Sequence, residues 1–366
     1  TKIVTKKSQE SKFVLQLIFV LCSPVASSTE SNLKRIMSKM RAARLVEIGR
    51  MDCEEIEMGP LEPGNVRVQT EMASICGSDL HRVMMGALMD HELPCPHGYP
   101  GHEGIGLVVE SQSEQLQEGT HVLTFPNTTR CEGFNEYQRI DAKYCLPLPE
   151  SDVSRPELMM AQQFGTVIYA MNQHPRDIAG KTAVVIGQGS AGLFWTYLVK
   201  RAGASKIIVS DLSDARLKVS KQYGADICIN AGQDDLLTVV MDHTQGKGAD
   251  YVVEAVGQSQ TLLQSVEAVN IDGEVHWFGL PSVDENIPFS FAKFFRKRVR
   301  AVTTYGAQDE PGSPSFREAL DLIHQKKIDV SPLLSHRYPI EDINQAMEVA
   351  HRPVDEEALK VSVHFG

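Results

Sequence analysis

The chain has 366 residues, of which 42% are hydrophobic and 23% are charged, as in ordinary soluble globular proteins. This length is too great for one ordinary hydrophobic core, so we expect two domains. The net charge of −11 argues against nucleic acid as a partner, because phosphate binding needs a basic face. The one basic cluster, at 293–298, leads into a strand-like run and is interpreted as a solvated connection.

Residues 1–39 differ in pattern from the rest of the chain. Lysines precede an apolar run, Phe13–Leu21, and small residues follow it, which is the layout of a secretory signal but is too short for a membrane span. Three interpretations remain open: sequence translated upstream of the true start at Met37 or Met40, a targeting segment, or an ordinary extension. Seven cysteines without a C-x-x-C pair make a disulfide framework unexpected and favour the cytoplasm.

The part of the chain that follows is predicted to be rich in β-strands. Short alternating patterns bounded by turn residues predict strands at Ala42–Ile48, Glu54–Met58, Asn65–Ser74, His121–Phe125 and Glu136–Ile140, and then a helix at Arg155–Met171. Between these strands lie two segments that carry reactive side chains, Ile75–His81 and Gly101–Glu110.

A strand, a glycine turn and a helix follow one another in the middle of the chain. The β-branched run Thr182–Ile186 stops at Gly187-Gln188-Gly189-Ser190-Ala191-Gly192, and a helical apolar pattern begins at once. The first two glycines allow a tight turn and the approach of a pyrophosphate, and the third lets the helix pack on the strand. A second strand, Lys206–Ser210, ends on Asp211, whose carboxylate would accept hydrogen bonds from an adenosine ribose. This order predicts a dinucleotide site that prefers NAD to NADP.

Strands and helices alternate through the second half. Further strands are predicted at Ile227–Asn230, Tyr251–Val256, Glu274–Gly279 and Val299–Thr304. With the two strands around the glycine turn they make six, enough for a doubly wound parallel sheet, so the fold class is α/β. The tail returns to helix at Phe316–Gln325 and again before Val349, and we expect it to pack on the first domain.

Cys76, His102 and Glu103 are residue types that a catalytic zinc takes as ligands while one position stays open. A zinc of this kind acts as a Lewis acid that lowers the pKa of a bound hydroxyl. Each residue also has a plain structural interpretation, as a buried thiol, a core histidine or an acid at a strand end.

Three polar residues follow Cys76 closely. Asp79 could orient a metal ligand, and Ser78 with His81 could relay the alcohol proton outward. The alternative is that Ser78 and Asp79 cap a helix and that His81 lies at the surface.

The motifs I-C-G-S-D-L-H, G-H-E-G-x-G-x-V-x-E and the glycine turn resemble, in order and spacing, the zinc-dependent medium-chain alcohol and polyol dehydrogenase family. The resemblance covers roughly Met40 to the C-terminus. It implies a GroES-like β-rich catalytic domain at 40–165, completed by 305–366, and a Rossmann NAD-binding domain at 166–304. It also implies homodimers or homotetramers formed through the cofactor domains.

The same resemblance implies roles for individual residues. The metal ligands would be Cys76, His102, Glu103 (directly or through water) and Gln162, and the proton relay would be Ser78 with His81. The NAD-binding residues would be Thr166, Gly187, Gly189, Ser190, Ala191, Gly192, Asp211, Arg216, Val256, Gly279 and Leu280.

Two departures from the family pattern bear on metal. The family often has a lobe of four cysteines that binds a structural zinc, but the interval Thr124–Gly133 contains only Cys131, so we expect no structural zinc. Polyol-type relatives have an acid where this chain has Gln162. An amide oxygen can coordinate but carries no charge, so we expect the catalytic zinc to be held less tightly.

The sequence therefore predicts an NAD-dependent, zinc-assisted dehydrogenase that converts a secondary alcohol, polyol or sugar to its ketone. One alternative is a zinc-free reductase of the same fold that acts on enones or quinones. Another is a catalytically silent dinucleotide-binding protein. Measurements of metal content and of turnover distinguish these three functions.

Cofactor preference gives a first test. Replacing the predicted ribose acceptor, Asp211→Ala, should weaken NAD binding markedly and narrow the difference from NADP, because the carboxylate that repels a 2′-phosphate is gone. Fluorescence titration with NADH and NADPH measures both. Unchanged NADH affinity would mean that the second strand is misplaced.

Overall fold

The computed structural model describes residues 39–281 and 286–366, so the signal-like segment at 1–38 lies outside the described residues. The chain divides into two compact units, and both larger β-sheets belong to the unit formed by 42–54 and 61–366. Among the described residues, no helix combines the length and apolarity needed to cross a bilayer.

The described residues form fifteen strands and ten α-helices, besides five short 3-10 helices. The strands are β1 (Lys39–Glu47), β2 (Arg50–Glu57), β3 (Asn65–Ser74), β4 (Gly104–Ser111), β5 (His121–Thr124), β6 (Tyr137–Asp141), β7 (Cys145–Pro147), β8 (Thr182–Ile186), β9 (Lys206–Asp211), β10 (Ile227–Asn230), β11 (Ala249–Glu254), β12 (Val269–Trp277), β13 (Arg300–Thr303), β14 (Leu334–Pro339) and β15 (Lys360–His364). The helices are α1 (Gly77–Met85), α2 (Arg155–Met159), α3 (Ala161–Gln173), α4 (Ser190–Arg201), α5 (Asp214–Gln222), α6 (Leu236–His243), α7 (Ser259–Ala268), α8 (Phe291–Lys297), α9 (Pro314–His324) and α10 (Ile343–His351).

The six-stranded sheet has the order β10-β9-β8-β11-β12-β13, and all its pairs are parallel. The strand order reverses between β8 and β11, and a doubly wound sheet binds its ligand at the carboxyl ends of the strands at such a point. The glycine turn follows β8 directly. The predicted doubly wound α/β sheet is therefore confirmed.

The seven-stranded sheet has the order β14-β15-β3-β4-β5-β7, and β6 also pairs with β3. Strand β15 runs antiparallel to β3, with Ser362 opposite Ser74. The last strand of the chain therefore lies beside the strand that leads into Cys76. Sequence-distant residues from the two ends of the fold meet here.

Helix α3 is held between two other helices by aromatic side chains. The rings of Phe164 and Phe194 stack at 4.6 Å and join α3 to α4, while Phe316 of α9 packs against Gly165 of α3 and stacks on Phe125 at 4.5 Å. All four side chains are fully buried. Removing such a ring typically costs about 3–5 kcal/mol, so the position of α3 is strongly fixed.

Several element predictions were wrong in detail, among them the start of β12, which lies at Val269, five residues before the predicted Glu274. The helix expected at 155–171 is two helices, Arg155–Met159 with an N-terminal capping box at Ser154 and Ala161–Gln173, which are separated at Met160. The basic cluster at 293–298, expected as a connection, lies mostly in α8, whose N-cap Ser290 accepts the Lys293 N–H. Strand β2 begins at Arg50, four residues before the predicted start, because its pairing with β1 extends almost to the hairpin turn.

Candidate functional site

The three predicted metal ligands come together at the start of α1 and the entry to β4. The ligand atoms of Cys76, His102 and Glu103 all lie within 4.8 Å of one another. His102 and Glu103 are buried, and Cys76 is half-buried. The structure thus places a sulfur, a nitrogen and a carboxylate oxygen around one point.

His102 is oriented by hydrogen bonds on one side of its ring. Its Nδ1 lies 3.1 Å from Asp79 Oδ1 and 3.0 Å from the carbonyl oxygen of Pro100, which leaves Nε2 for a metal. Burial alone would lower the pKa of His102, but Asp79 and Cys76 raise it well above its ordinary value.

Asp79 fills both roles that the sequence left open. Cys76 is the N-cap residue of α1, and its backbone N–H donates to Asp79 Oδ2 at 2.9 Å, as in a capping box. The other carboxylate oxygen faces His102. One fully buried acid therefore fixes two of the candidate ligands relative to each other.

Glu103 is paired with a lysine that the sequence analysis did not single out. Lys360 Nζ lies 2.6 Å from Glu103 Oε2, and the Ser74 hydroxyl donates to the same oxygen. Both charged side chains are only 2% exposed. Burial would raise the pKa of Glu103, but the charges of Lys360 and His102 lower it. A lysine inside an apolar strand was the available signal.

The predicted proton relay lies on α1, one turn beyond Cys76. Ser78 and His81 are half-buried and three residues apart, which places them on one face of the helix. Burial, Arg82 and His351 lower the pKa of His81, which favours the neutral form of its ring. A neutral imidazole can accept a proton.

The first turn of α3 reaches the metal candidates through a neighbour of the predicted ligand. Gln162 is buried, and its backbone carbonyl accepts the Thr166 hydroxyl at 3.2 Å. The adjacent Gln163 accepts a hydrogen bond from Lys360 at 3.2 Å.

A groove of about 540 Å³ extends from the glycine turn to residues that neighbour the metal candidates. Seven of the predicted NAD-binding residues line it: Gly187, Gly189, Ser190, Ala191, Asp211, Arg216 and Val256. Gly77, Gln163 and Lys360 line it too, and these are neighbours or partners of the candidate metal ligands. The groove therefore passes the glycine turn and lies beside the metal candidates.

The other four predicted NAD-binding residues are not part of the lining of this groove. Gly192 packs on the turn itself, since a Cβ there would lie 1.9 Å from the carbonyl oxygen of Gly187. Gly279 and Leu280 line a separate apolar pocket of about 400 Å³, and Thr166 bonds within α3.

Asp211 ties the glycine turn to the end of β9. Its two carboxylate oxygens accept the backbone N–H groups of Gln188, at 2.6 Å, and Ser213, at 2.9 Å. Arg216 lies 3.8 Å away and also donates to the Ala358 carbonyl at 3.1 Å. The acid is therefore fixed at the edge of the groove.

Comparison with known proteins places this geometry in a family. The family description "Zinc-binding dehydrogenase" matches residues 191–325, and "Alcohol dehydrogenase GroES-like domain" matches residues 62–150, together more than half of the chain. The chain belongs to the zinc-dependent medium-chain dehydrogenase/reductase superfamily.

Individual members of this superfamily are similar over most of their length. An L-threonine 3-dehydrogenase from Pyrococcus abyssi is 28% identical over 311 residues, which cover 78% of this chain and 87% of that protein. An alcohol dehydrogenase from Cupriavidus necator is 24% identical over 361 residues, covering 85% and 94%. The solved alcohol dehydrogenase TADH from Thermus sp. ATN1 has a TM-score of 0.76 at 25% identity and covers 89% of this chain and 100% of its own.

This superfamily member also has a glycine-turn residue whose role the sequence analysis missed. The Gln188 side chain is fully buried and donates to the Gly187 carbonyl at 2.9 Å. Its oxygen accepts the hydroxyls of Thr196, at 2.9 Å, and Ser220, at 2.8 Å. These bonds connect the turn to α4 and α5, and only the assembled fold shows them.

The glycine turn generates a direct test of the groove. At Gly189 an added Cβ would meet nothing closer than Arg216 Nη1 at 3.9 Å, so Gly189→Ala should fold normally. If a dinucleotide lies on this turn, the methyl group blocks its close approach, and the Kd for NADH should rise at least about tenfold.

Thermal unfolding and NADH fluorescence titration measure the two effects. As a comparison, Gly192→Ala should lower stability as well, because its Cβ clashes with the Gly187 carbonyl. NADH affinity equal to the wild type in Gly189→Ala would place the dinucleotide elsewhere.

Proposed function

We propose that the protein is an NAD-dependent, zinc-assisted dehydrogenase that interconverts a secondary alcohol, polyol or sugar with its ketone by hydride transfer. The observation that carries this proposal is the convergence of Cys76, His102 and Glu103 beside a groove whose lining includes the glycine turn and Lys360, the partner of Glu103. A hydride transfer needs the reacting alcohol and the nicotinamide side by side, and this groove can hold both.

The residues present fit a zinc ion. Thiolate, imidazole and carboxylate are its usual ligands, and three protein ligands leave a position for substrate. Asp79 and Pro100 contact the Nδ1 side of the His102 ring, and this orientation with the clustering of the three ligand atoms supports the assignment. Zinc would supply Lewis acidity that makes the alcohol proton easier to remove.

The chain's own residues would do the rest. Asp79 holds His102 and the N-cap of α1 in place, so the ligands do not have to reorganise when the metal enters. Ser78 would accept the alcohol proton and His81, whose neutral form is favoured, would carry it outward. Gln162 would be a neutral fourth ligand or near-ligand.

The cofactor is proposed to be NAD. The carboxylate of Asp211 is held at the groove edge by two backbone N–H groups, where a 2′-phosphate would meet a fixed negative charge. Arg216, at 3.8 Å, would stack on or bond the adenosine ribose unit from the other side.

The same proposal assigns 40–165 and 305–366 to the catalytic domain and 166–304 to the NAD-binding domain. In support, β14 and β15 join the sheet of β3, and β8–β13 all fall within the second range.

We infer that the chain assembles as a homodimer or homotetramer through its cofactor domain. Strand β13 ends the parallel sheet, and Phe291, Phe295 and Tyr305 nearby are 65%, 70% and 77% exposed. Light scattering should give two or four chains per particle, and Phe295→Glu should lower that number. A wild-type monomer at micromolar concentration would contradict this assignment.

Measuring the metal content together with the activity tests the proposed dehydrogenase function. Protein purified without chelator should contain about one zinc per chain and should reduce NAD with a secondary alcohol, L-threonine being one candidate among those to be tried. Dialysis against a chelator should remove metal and activity together, and zinc should restore both.

Cys76→Ser should lose most of the zinc, whereas the matched control Cys228→Ser, in β10, should keep it. Well-folded protein that binds NADH but takes up no zinc would support the zinc-free reductase or the silent binder instead.

A further inference from the structure

Lys360 is a buried cation that belongs to two sites at once. It begins β15, and its side chain is 2% exposed. Its ammonium bonds Glu103 at 2.6 Å and Gln163 at 3.2 Å. It also lines the groove that the glycine-turn residues Gly187 and Gly189 line.

A cation buried this deeply needs an anion beside it, and the described residues supply Glu103. Under the proposed function, two further charged groups, the metal ion and the diphosphate of the dinucleotide, bind near Lys360. A dication would coordinate the Glu103 carboxylate and repel the Lys360 ammonium. A dinucleotide would bring a diphosphate into the groove and attract it. Both ligands therefore act on one ion pair.

We propose that Lys360 couples the two sites, so that metal binding and dinucleotide binding strengthen each other. The diphosphate draws the ammonium away from Glu103, which leaves the carboxylate more available to the metal. The metal in turn releases the ammonium for the diphosphate. Lys360 is thus a positioning residue, and its four-carbon stem gives the ammonium the freedom to change partners.

This inference rests on the proposed function, because it needs a metal at Cys76, His102 and Glu103 and a dinucleotide in the groove. Coupling between two binding equilibria is reciprocal, so each ligand must change the affinity of the other by the same factor. We expect a factor of at least about five, the lower end of common couplings.

Binding titrations on the full chain test the coupling without turnover. The Kd of NADH is measured by fluorescence on chelator-treated protein with and without Zn²⁺. The Kd of Zn²⁺ is measured against a chromophoric chelator with and without nucleotide. ADP-ribose, which has the diphosphate but no nicotinamide, should show the coupling, and adenosine, which has no diphosphate, should not.

Substitutions of Lys360 test whether this residue transmits the coupling between the two sites. Lys360→Met should bring the coupling factor close to one and weaken ADP-ribose binding while Zn²⁺ still binds, whereas a merely structural lysine would weaken both ligands or neither. Lys360→Arg should retain the coupling, and Lys221→Met, at an exposed lysine, should behave as the wild type. If Lys360→Met does not fold, Lys360→Gln is measured in its place with the same expected loss of coupling.

The outcomes separate the two proposals. Zn²⁺ and ADP-ribose that bind the wild type independently would overturn the coupling and leave the dehydrogenase proposal intact. Full coupling in Lys360→Met, or equal coupling with adenosine, would remove Lys360 as its carrier. Failure of the wild type to bind Zn²⁺ or NADH would overturn both.

Discussion

The pairing of buried charges around Cys76 constrains this structure more than any other interaction. Asp79, His102, Glu103 and Lys360 are each 5% exposed or less, and a fold tolerates such groups only as partners. Asp79 faces His102, and Lys360 faces Glu103. Because removing one member would leave its partner charged and buried, the four side chains depend on one another.

The topology explains how residues so far apart in sequence meet. Strand β3 delivers Cys76, the antiparallel β4 begins just after His102 and Glu103, and β15 lies against β3 to deliver Lys360. Helix α3, fixed by stacked phenylalanines, adds Gln163 from the side. The relative positions of the candidate metal ligands therefore depend on the register of β3 with β4 and β15. A slip of one residue would turn the side chains to the opposite face of the sheet.

Local patterns in the sequence were sufficient wherever the determining contacts are local. The glycine turn, the six parallel strands and the three candidate ligands could all be found from residue types and spacing. Lys360 could not, because its partner is reached only when the last strand closes the sheet. The amide of Gln188 was missed for the same reason, since its partners lie on α4 and α5. The break at Met160 was missed because a capped short turn and a continuous helix share one hydrophobic pattern.

A count of charges gives a physical account of Gln162. With a dication bound, the Cys76 thiolate and the carboxylates of Glu103 and Asp79 would together balance the metal and the Lys360 ammonium. Gln162 is buried in the same turn as Gln163, which touches Lys360. An acid at position 162 would add a negative charge with no partner among these groups, and an isolated buried charge is strongly unfavourable. The neutral amide thus matches a site in which three anions already balance the metal and the buried lysine, and the departure from the acidic pattern is compatible with a bound zinc.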